Sequence, residues 1–463
     1  MGCANIIGEY PDRVTPVKQN LNQKNYSKAI QSVQKLTGEN NQQLNQLELA
    51  RTYQLAGQYV KSQQNYDAVL TQVQIDQAKA KVEVSRLLTQ SSALFVNPQK
   101  VSYRLMPYEV VFLMTYQALN ELAQDNLSNA LVYFRKAYEE QAYIQTEQAQ
   151  ALAVADQRAD KEKLSFNLNN YPKDFNQMLT AAAKIKSGFE NALTYYLTAL
   201  TYFQQGDDNN AFVAIKQALA LAPENPAVRA LLLNILVHRG GDLTQLQTYL
   251  KNFGLKQPPE RLNNTGLVVV LYEQDWVPAL QTVTVPVPIP FKGNFQLQTL
   301  SLPTYLATGL STPPLNISDL NLTPQGEPAQ TAVLMNVYDL AARNLKDRYP
   351  MIFLQSALSV IAKATMTNIV SDMDHGKAGL AGVVAGSLYG MITSNADCRS
   401  WLTLPLDEQV WQSYMPVGMH RFRFTIGTQT ANINMPIQGD KINFIWVAQG
   451  GSNSPLSIRY FNF

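Results

Sequence analysis

The sequence predicts an α+β protein, in which an N-terminal α-helical, tetratricopeptide-like solenoid is followed by a β-rich, sandwich-like half carrying a glycine-rich helical insert. Three observations carry this. Small and aromatic residues recur at helix-hairpin spacing before residue 260, Pro258-Pro259 closes that stretch, and β-branched alternating runs begin soon after it. The best copy of the hairpin pattern is Tyr195, Ala199, Tyr202, Gly206, Ala211, Ile215, Ala218 and Pro223. Ala199, Ala211 and Ala218 are small where two helix backbones approach, while Tyr195, Tyr202 and Ile215 fill the gap between them. Gly206 supplies the turn, and stacked pairs of this kind expose a groove.

Taken in order, residues 1–21 form an N-terminal segment carrying Cys3, and 22–257 form the helical repeat domain. Tyr26, Ala29, Val33 and Leu36 share one helical face, and Leu49, Ala50, Tyr53, Gly57, Tyr59, Tyr66 and Val69 form the next pair. Ala29 and Ser62 are equivalent small positions 33 residues apart, close to the usual period of about 34. A third copy reads Met114, Ala118, Leu122, Ala130, Phe134 and Ala137, with its turn at Asp125-Asn126. Glu139 to Lys163 is polar and rich in Gln and Ala, which predicts an extended helix up to the break at Asn169-Asn170-Tyr171-Pro172. It suits a cap or cradle for a partner, or simply a solvated helix. Helices over Pro226–His238, ended by Gly240-Gly241, and over Leu243–Phe253 complete this half.

The β-rich half spans 265–463. Leu267–Tyr272, Thr282–Ile289 and Gln296–Leu302 read as strands. Pro286, Pro288 and Pro290 cannot donate to a central ladder, so their segment belongs at a sheet edge or in an extended arm, where it offers a contact surface. A helical insert covers 338–394: Tyr338–Leu345, a turn fixed by Asp347-Arg348-Tyr349-Pro350, then Met351–Val370. Gly376, Gly379, Gly382, Gly386 and Gly390 follow at intervals of three or four. They suit a buried helix packed closely on a sheet, or else self-association or lipid contact. Strands at Arg421–Ile426, Ile433–Ile437 and Ile442–Val447 close the chain.

Composition narrows the function classes. The 463 residues are 46% apolar, enough for two or three cores, while a net charge of +2 and only 16% charged residues argue against a nucleic-acid partner. No apolar run reaches the length of about 20 residues that a spanning helix needs. His238, His375 and His420 stand far apart without metal-ligand spacing, and nucleophile elbows, phosphate loops and paired-cysteine motifs are missing. No cofactor, no metal and no enzymatic activity are therefore expected. Asp397, Arg399 and Trp401 form a candidate interaction cluster, because side chains two apart share one side of an extended strand. Such a row suits a polar ligand or a stacked sugar; the competing architectural reading has the ion pair ordering a turn and Trp401 filling core. Cys398 reads as a plain buried thiol.

The start Met1-Gly2-Cys3-Ala4-Asn5 resembles the end of a bacterial lipoprotein signal, with Met1 and Gly2 standing where the removed signal would end. Myristoylation with palmitoylation is a rival, although Ile6 stands where that motif prefers Ser or Thr; an unmodified cysteine is a third reading. Tyr116-Gln117-Ala118-Leu119-Asn120 with Ala130 and Phe134-Arg135-Lys136-Ala137, then Asp347-Arg348-Tyr349-Pro350, and above all Arg399-Ser400-Trp401-Leu402-Thr403-Leu404-Pro405 resemble a family of uncharacterised proteobacterial lipoproteins over most of the chain. The resemblance implies a lipid on Cys3, an N-terminal repeat array and a place in the cell envelope. Ala4 and Asn5, lacking the aspartate of inner-membrane retention, imply the outer membrane. Cys398 departs from the small hydroxyl residue expected between Asp397 and Arg399, which argues against cysteine-dependent chemistry. The expectation is an outer-membrane-anchored periplasmic scaffold that binds a protein partner. A self-assembling ring or filament subunit is the alternative, and an enzyme acting on cell-wall glycans through Asp397 to Trp401 is the third.

Overall fold

Apolar residues at helical spacing build the first layer. Tyr10, Val14, Val17 and Leu21 line the buried stripe of α1 (Tyr10–Asn22), which turns into α2 (Tyr26–Gln34). The computed structural model describes residues 9–89, 101–240, 243–259, 263–291, 294–321, 328–372 and 396–463. The helical half continues with α3 (Gln42–Leu55), α4 (Tyr59–Thr89), α5 (Pro107–Leu122), α6 (Leu127–Lys161), α7 (Pro172–Ala182), α8 (Ala192–Gln204), α9 (Asp208–Leu221), α10 (Pro226–Arg239) and α11 (Leu243–Phe253). Part of the segment expected as a lead-in is thus helical, from Tyr10 onward. The polar stretch from Glu139 is the second half of α6, a 35-residue helix.

Four hairpins share one turn. Lys24, Gly57, Asp125 and Gly206 take φ of 56°, 74°, 57° and 76°. The residue after each donates its N–H five residues back: Asn25 to Asn20, Gln58 to Tyr53, Asn126 to Glu121 and Asp207 to Tyr202, at 2.8–2.9 Å. This left-handed cap satisfies carbonyls that the helix end would otherwise leave orphaned. Five residues beyond each turn residue sit Ala29, Ser62, Ala130 and Ala211, all fully buried where the second helix crosses the first.

The β half is built from β1 (Thr265–Gln274), β2 (Gln281–Phe291), β3 (Asn294–Thr304), β4 (Asn316–Asp319), β5 (Ala329–Gln330), β6 (Ala332–Asn336), β7 (Asp407–Pro416), β8 (Gly418–Ile426), β9 (Gln429–Ile437), β10 (Ile442–Gln449) and β11 (Ser457–Asn462). One sheet runs β11-β10-β1-β7-β6, a second runs β5-β4-β8-β9, and β2 pairs with β3 alone. In the first sheet β1 is parallel to β10 and antiparallel to β7. All ten residues of β1 are buried, which explains its unbroken apolar run. Leu267, Val269 and Leu271 face the helices, whereas Val268, Val270 and Tyr272 meet Ile317, Phe422, Phe424 and Met435 of the second sheet. The order of layers is helix, sheet, sheet.

The expected pair of helices around Pro350 is one helix, α12 (Val337–Asp372). Proline inside a helix costs about 3 kcal/mol, and packing offsets it here. Tyr349 is buried and donates to the Pro303 carbonyl at 2.8 Å, Phe166 stacks on Phe353 at 4.6 Å, and Phe175 meets Tyr349 edge-on. Asp347 does not close a turn; it accepts from Arg343 Nε at 2.9 Å, one helical turn away. The glycine stripe from Gly376 to Gly390 and Cys3 lie outside the described residues.

Candidate functional site

The residues that marked the strongest hairpin pack its two helices together and do not line the neighbouring cavity. Tyr195, Ala199, Ala211, Ile215 and Ala218 are buried between α8 and α9, Tyr202 is half-buried, Gly206 forms the turn and Pro223 is exposed in the link to α10. Asn191, Asp207 and Asn225 cap α8, α9 and α10 with their side-chain oxygens. Asn225 also donates to the Ala332 and Val333 carbonyls at 3.2 and 3.0 Å, which fixes the start of α10 on β6. A side-chain cap is worth about 1 kcal/mol, and this one also sets where the groove's wall stands.

Beyond this anchored end, a cavity of about 620 Å³ opens between α9, α10 and α11, lined among others by Phe212, Val213, Leu236, Arg239 and Gln245. Phe212 and Leu236 form its apolar floor, both less than one-tenth exposed, while Val213 is 52% exposed and Leu243, on the first turn of α11, is 70% exposed. Lys216 Nζ lies 5.6 Å and Arg239 Cζ 5.4 Å from the centre of the Phe212 ring. Among the described residues neither cation forms an ion pair. An apolar floor with the exposed Arg239 in its lining, and Lys216 close to the Phe212 ring, can hold an apolar side chain and a carboxylate together. Sequence reasoning found the hairpin but missed Phe212, Lys216, Arg239 and Leu243. The available signal was Val213, an apolar residue off the packed stripe of α9.

The Asp397 to Trp401 cluster has a different setting. It lies at the seam between helices and sheet. Asp397 accepts from Arg399 at 2.8 and 2.7 Å, and the same guanidinium donates to the Asn40 and Val101 carbonyls. Trp401 has no exposed surface; its ring packs edge-on against Tyr66 and Tyr116, and its Nε1–H donates to Thr403. The three side chains therefore bind the chain's own layers, and Trp401 is not presented to a ligand. Cys398 is buried beside Thr282 Oγ1 at 3.3 Å, and burial pushes its thiol up to about 11, which keeps it protonated and unreactive.

Around Trp401 runs a buried polar layer. Glu48 of α3 accepts from Leu402 N–H at 2.8 Å and from the Thr403 hydroxyl at 2.5 Å, and Glu109 of α5 accepts from Trp401 N–H at 2.7 Å. Arg51 pairs with Glu273 of β1 at 2.5 Å, both nearly without exposure, and lies 4.3 Å from the Tyr116 ring. The Tyr116 hydroxyl donates toward Glu273 and Glu408, which face each other across β1 and β7. Burial raises the Glu408 carboxyl well above its usual range, and the neighbouring Glu273 adds to it. One cation and two carboxylates then balance only if Glu408 holds its proton. Burial likewise raises Glu48 to about 7 against the opposing bonds from Thr403 and Leu402, and Asp407 of β7 to about 7.

Among the described residues no group of three or more His, Cys, Asp or Glu could hold a metal ion, and no helix is long and apolar enough to cross a membrane. No protein-family model matches the chain, and no curated protein matches its sequence.

Proposed function

We propose that this protein is an interaction scaffold of the cell envelope, held at the outer membrane by lipid on Cys3, whose tetratricopeptide-like hairpins present a peptide-binding groove. The observation that carries the reading is the cavity between α9, α10 and α11, with its Phe212 and Leu236 floor, the exposed Arg239 in its lining and Lys216 beside the Phe212 ring. Its occupant is a protein segment bearing an apolar side chain near a carboxylate. Four hairpins with the same left-handed turn and the same small crossing residue support the repeat reading. Anchoring draws its support from Met1-Gly2-Cys3 and from the resemblance carried by Arg399 to Pro405. A single lipid chain binds a bilayer only marginally, so stable tethering needs the full acylation of a mature lipoprotein.

A photo-crosslinking residue placed at Val213 in living cells tests the groove. A discrete protein adduct is expected, and Arg239→Glu should remove it while far-ultraviolet circular dichroism stays unchanged. An adduct indifferent to Arg239→Glu, or none at all, would overturn the groove reading. Anchoring is tested apart from it: Cys3→Ser is expected to release the protein from the outer-membrane fraction, and a variant that stays equally bound would rule the tether out.

A further inference from the structure

We infer that the β2–β3 arm is a self-limiting dimerisation surface, in which β3 pairs antiparallel with β3 of a second copy while the prolines of β2 close the outer edges. The two strands pair along their whole length and form a sheet of their own. Pro286, Pro288 and Pro290 stand opposite Thr299, Leu297 and Phe295. Proline has no N–H to give, and the Pro286 carbonyl accepts from the Tyr171 hydroxyl at 2.7 Å, outside the hairpin. These are accordingly the pairs whose backbone groups point away from the partner strand. It follows that every outward N–H position of β2 from 286 to 290 is proline, and that Phe295, Leu297 and Thr299 direct their N–H and C=O groups off the other edge. Among the described residues nothing bonds those groups.

The two edges are therefore unlike. One is closed to an added strand from Pro286 to Pro290. From Asn294 to Ser301 the other carries none of the charges, bulges or prolines with which proteins usually blunt an edge. The side chains agree with the backbone. On one face Val283, Val285, Val287, Ile289, Leu300 and Leu302 are buried. On the other, Phe295 is 68% and Leu297 is 72% exposed beside Pro290 and Pro288.

A second copy is the occupant that fits this asymmetry. Antiparallel pairing about a two-fold axis at Leu297 sets Leu297 against its twin and Phe295 against Thr299, and the uncharged strand meets itself without like-charge repulsion. The product is a four-stranded sheet in the order β2-β3-β3-β2, with proline along both outer edges, so growth stops at two. Five residues per strand, Phe295 to Thr299, form a smaller contact than the roughly 1,200 Å² of a stable interface, and the dimer is accordingly concentration-dependent.

Sedimentation equilibrium of the full chain over about a hundredfold range of concentration tests this. A reversible monomer–dimer equilibrium is expected, with no larger species. Leu297→Pro removes a donor that the hairpin does not use, and Leu297→Lys places like charges face to face; each should weaken the dimer by at least about tenfold. Thr284→Lys, on the exposed face of β2, should leave it unchanged. Hydrogen exchange adds a direct readout: the amides of Phe295, Leu297 and Thr299 should gain protection with concentration, while those of Gln296 and Gln298, already bonded within the hairpin, should not. A monomer at every concentration, a dimer that survives both Leu297 variants, or assembly without protection of those three amides would overturn the inference.

Discussion

Glu48 is a carboxyl whose ionisation is tied to folding. Its pKa is raised by burial from the ordinary 4.5 to about 7, so between those values the folded chain holds a proton that the unfolded chain has released. The stability it contributes is full below pH 4.5, and it is lost as pH rises through about 7. The loss is at most about 3 kcal/mol. Glu48→Gln is expected to flatten that part of the slope when urea denaturation is followed at several pH values; a slope equal to the wild type's would contradict the assignment. Arg51 makes a separate case. Burial works against its charge, but Glu273 beside it more than restores it. Arg51→Met strands a buried carboxylate and should cost about 3–5 kcal/mol, whereas Arg51→Met with Glu273→Leu should recover most of that loss. Equal losses in the single and double variants would show that the pair is not the source.

At the scale of elements, turns and edges decide the architecture. Gly206 holds φ of 76°, where a β-branched residue is strained, so Gly206→Val should lower stability by about 1–2 kcal/mol by thermal unfolding. No change would mean that the turn adapts. The closed edge of β2 can be opened instead: Pro288→Val with Pro290→Val restores two outward N–H groups. If the arm dimerises through β3, this variant should grow into larger particles by light scattering, and an unchanged particle size would count against the edge argument.

Much of this level was legible in the sequence. Hairpin turns announce themselves through Gly57, Asp125-Asn126 and Gly206, and the three alternating prolines mark β2 as an edge. Other elements escaped. β7 was hidden because Asp407, Glu408 and Gln409 read as surface while being buried, a combination that local patterning cannot reveal. The first helix was hidden by Pro11 and Pro16, although Tyr10, Val14, Val17 and Leu21 carry its stripe. Pro350 looked like a break because the rings that pack on α12 beside it, Phe166 and Phe175, lie far away in sequence. Of the candidate site, the hairpin was readable and the groove was not, since Phe212 and Arg239 belong to two different helices and come together only in the fold.

For the whole molecule, the consequence is that helices and sheets fold together. Core residues run without interruption from α1 through β1 and β10, and the seam carries Arg51–Glu273, Glu48–Leu402 and Trp401. The groove at the end of the helical half is thereby carried on this continuous core, with Asn225 tying α10 to β6. The chain supplies its own reporters: Trp276, Trp401, Trp411 and Trp446 all lie in the β half, while the far-ultraviolet helix signal arises mainly from α1 to α11. Equilibrium unfolding followed in parallel by tryptophan fluorescence and by circular dichroism therefore tests the central claim of a single sealed body. Coincident transitions with one midpoint are predicted, and a fluorescence transition separated from loss of helix would contradict it.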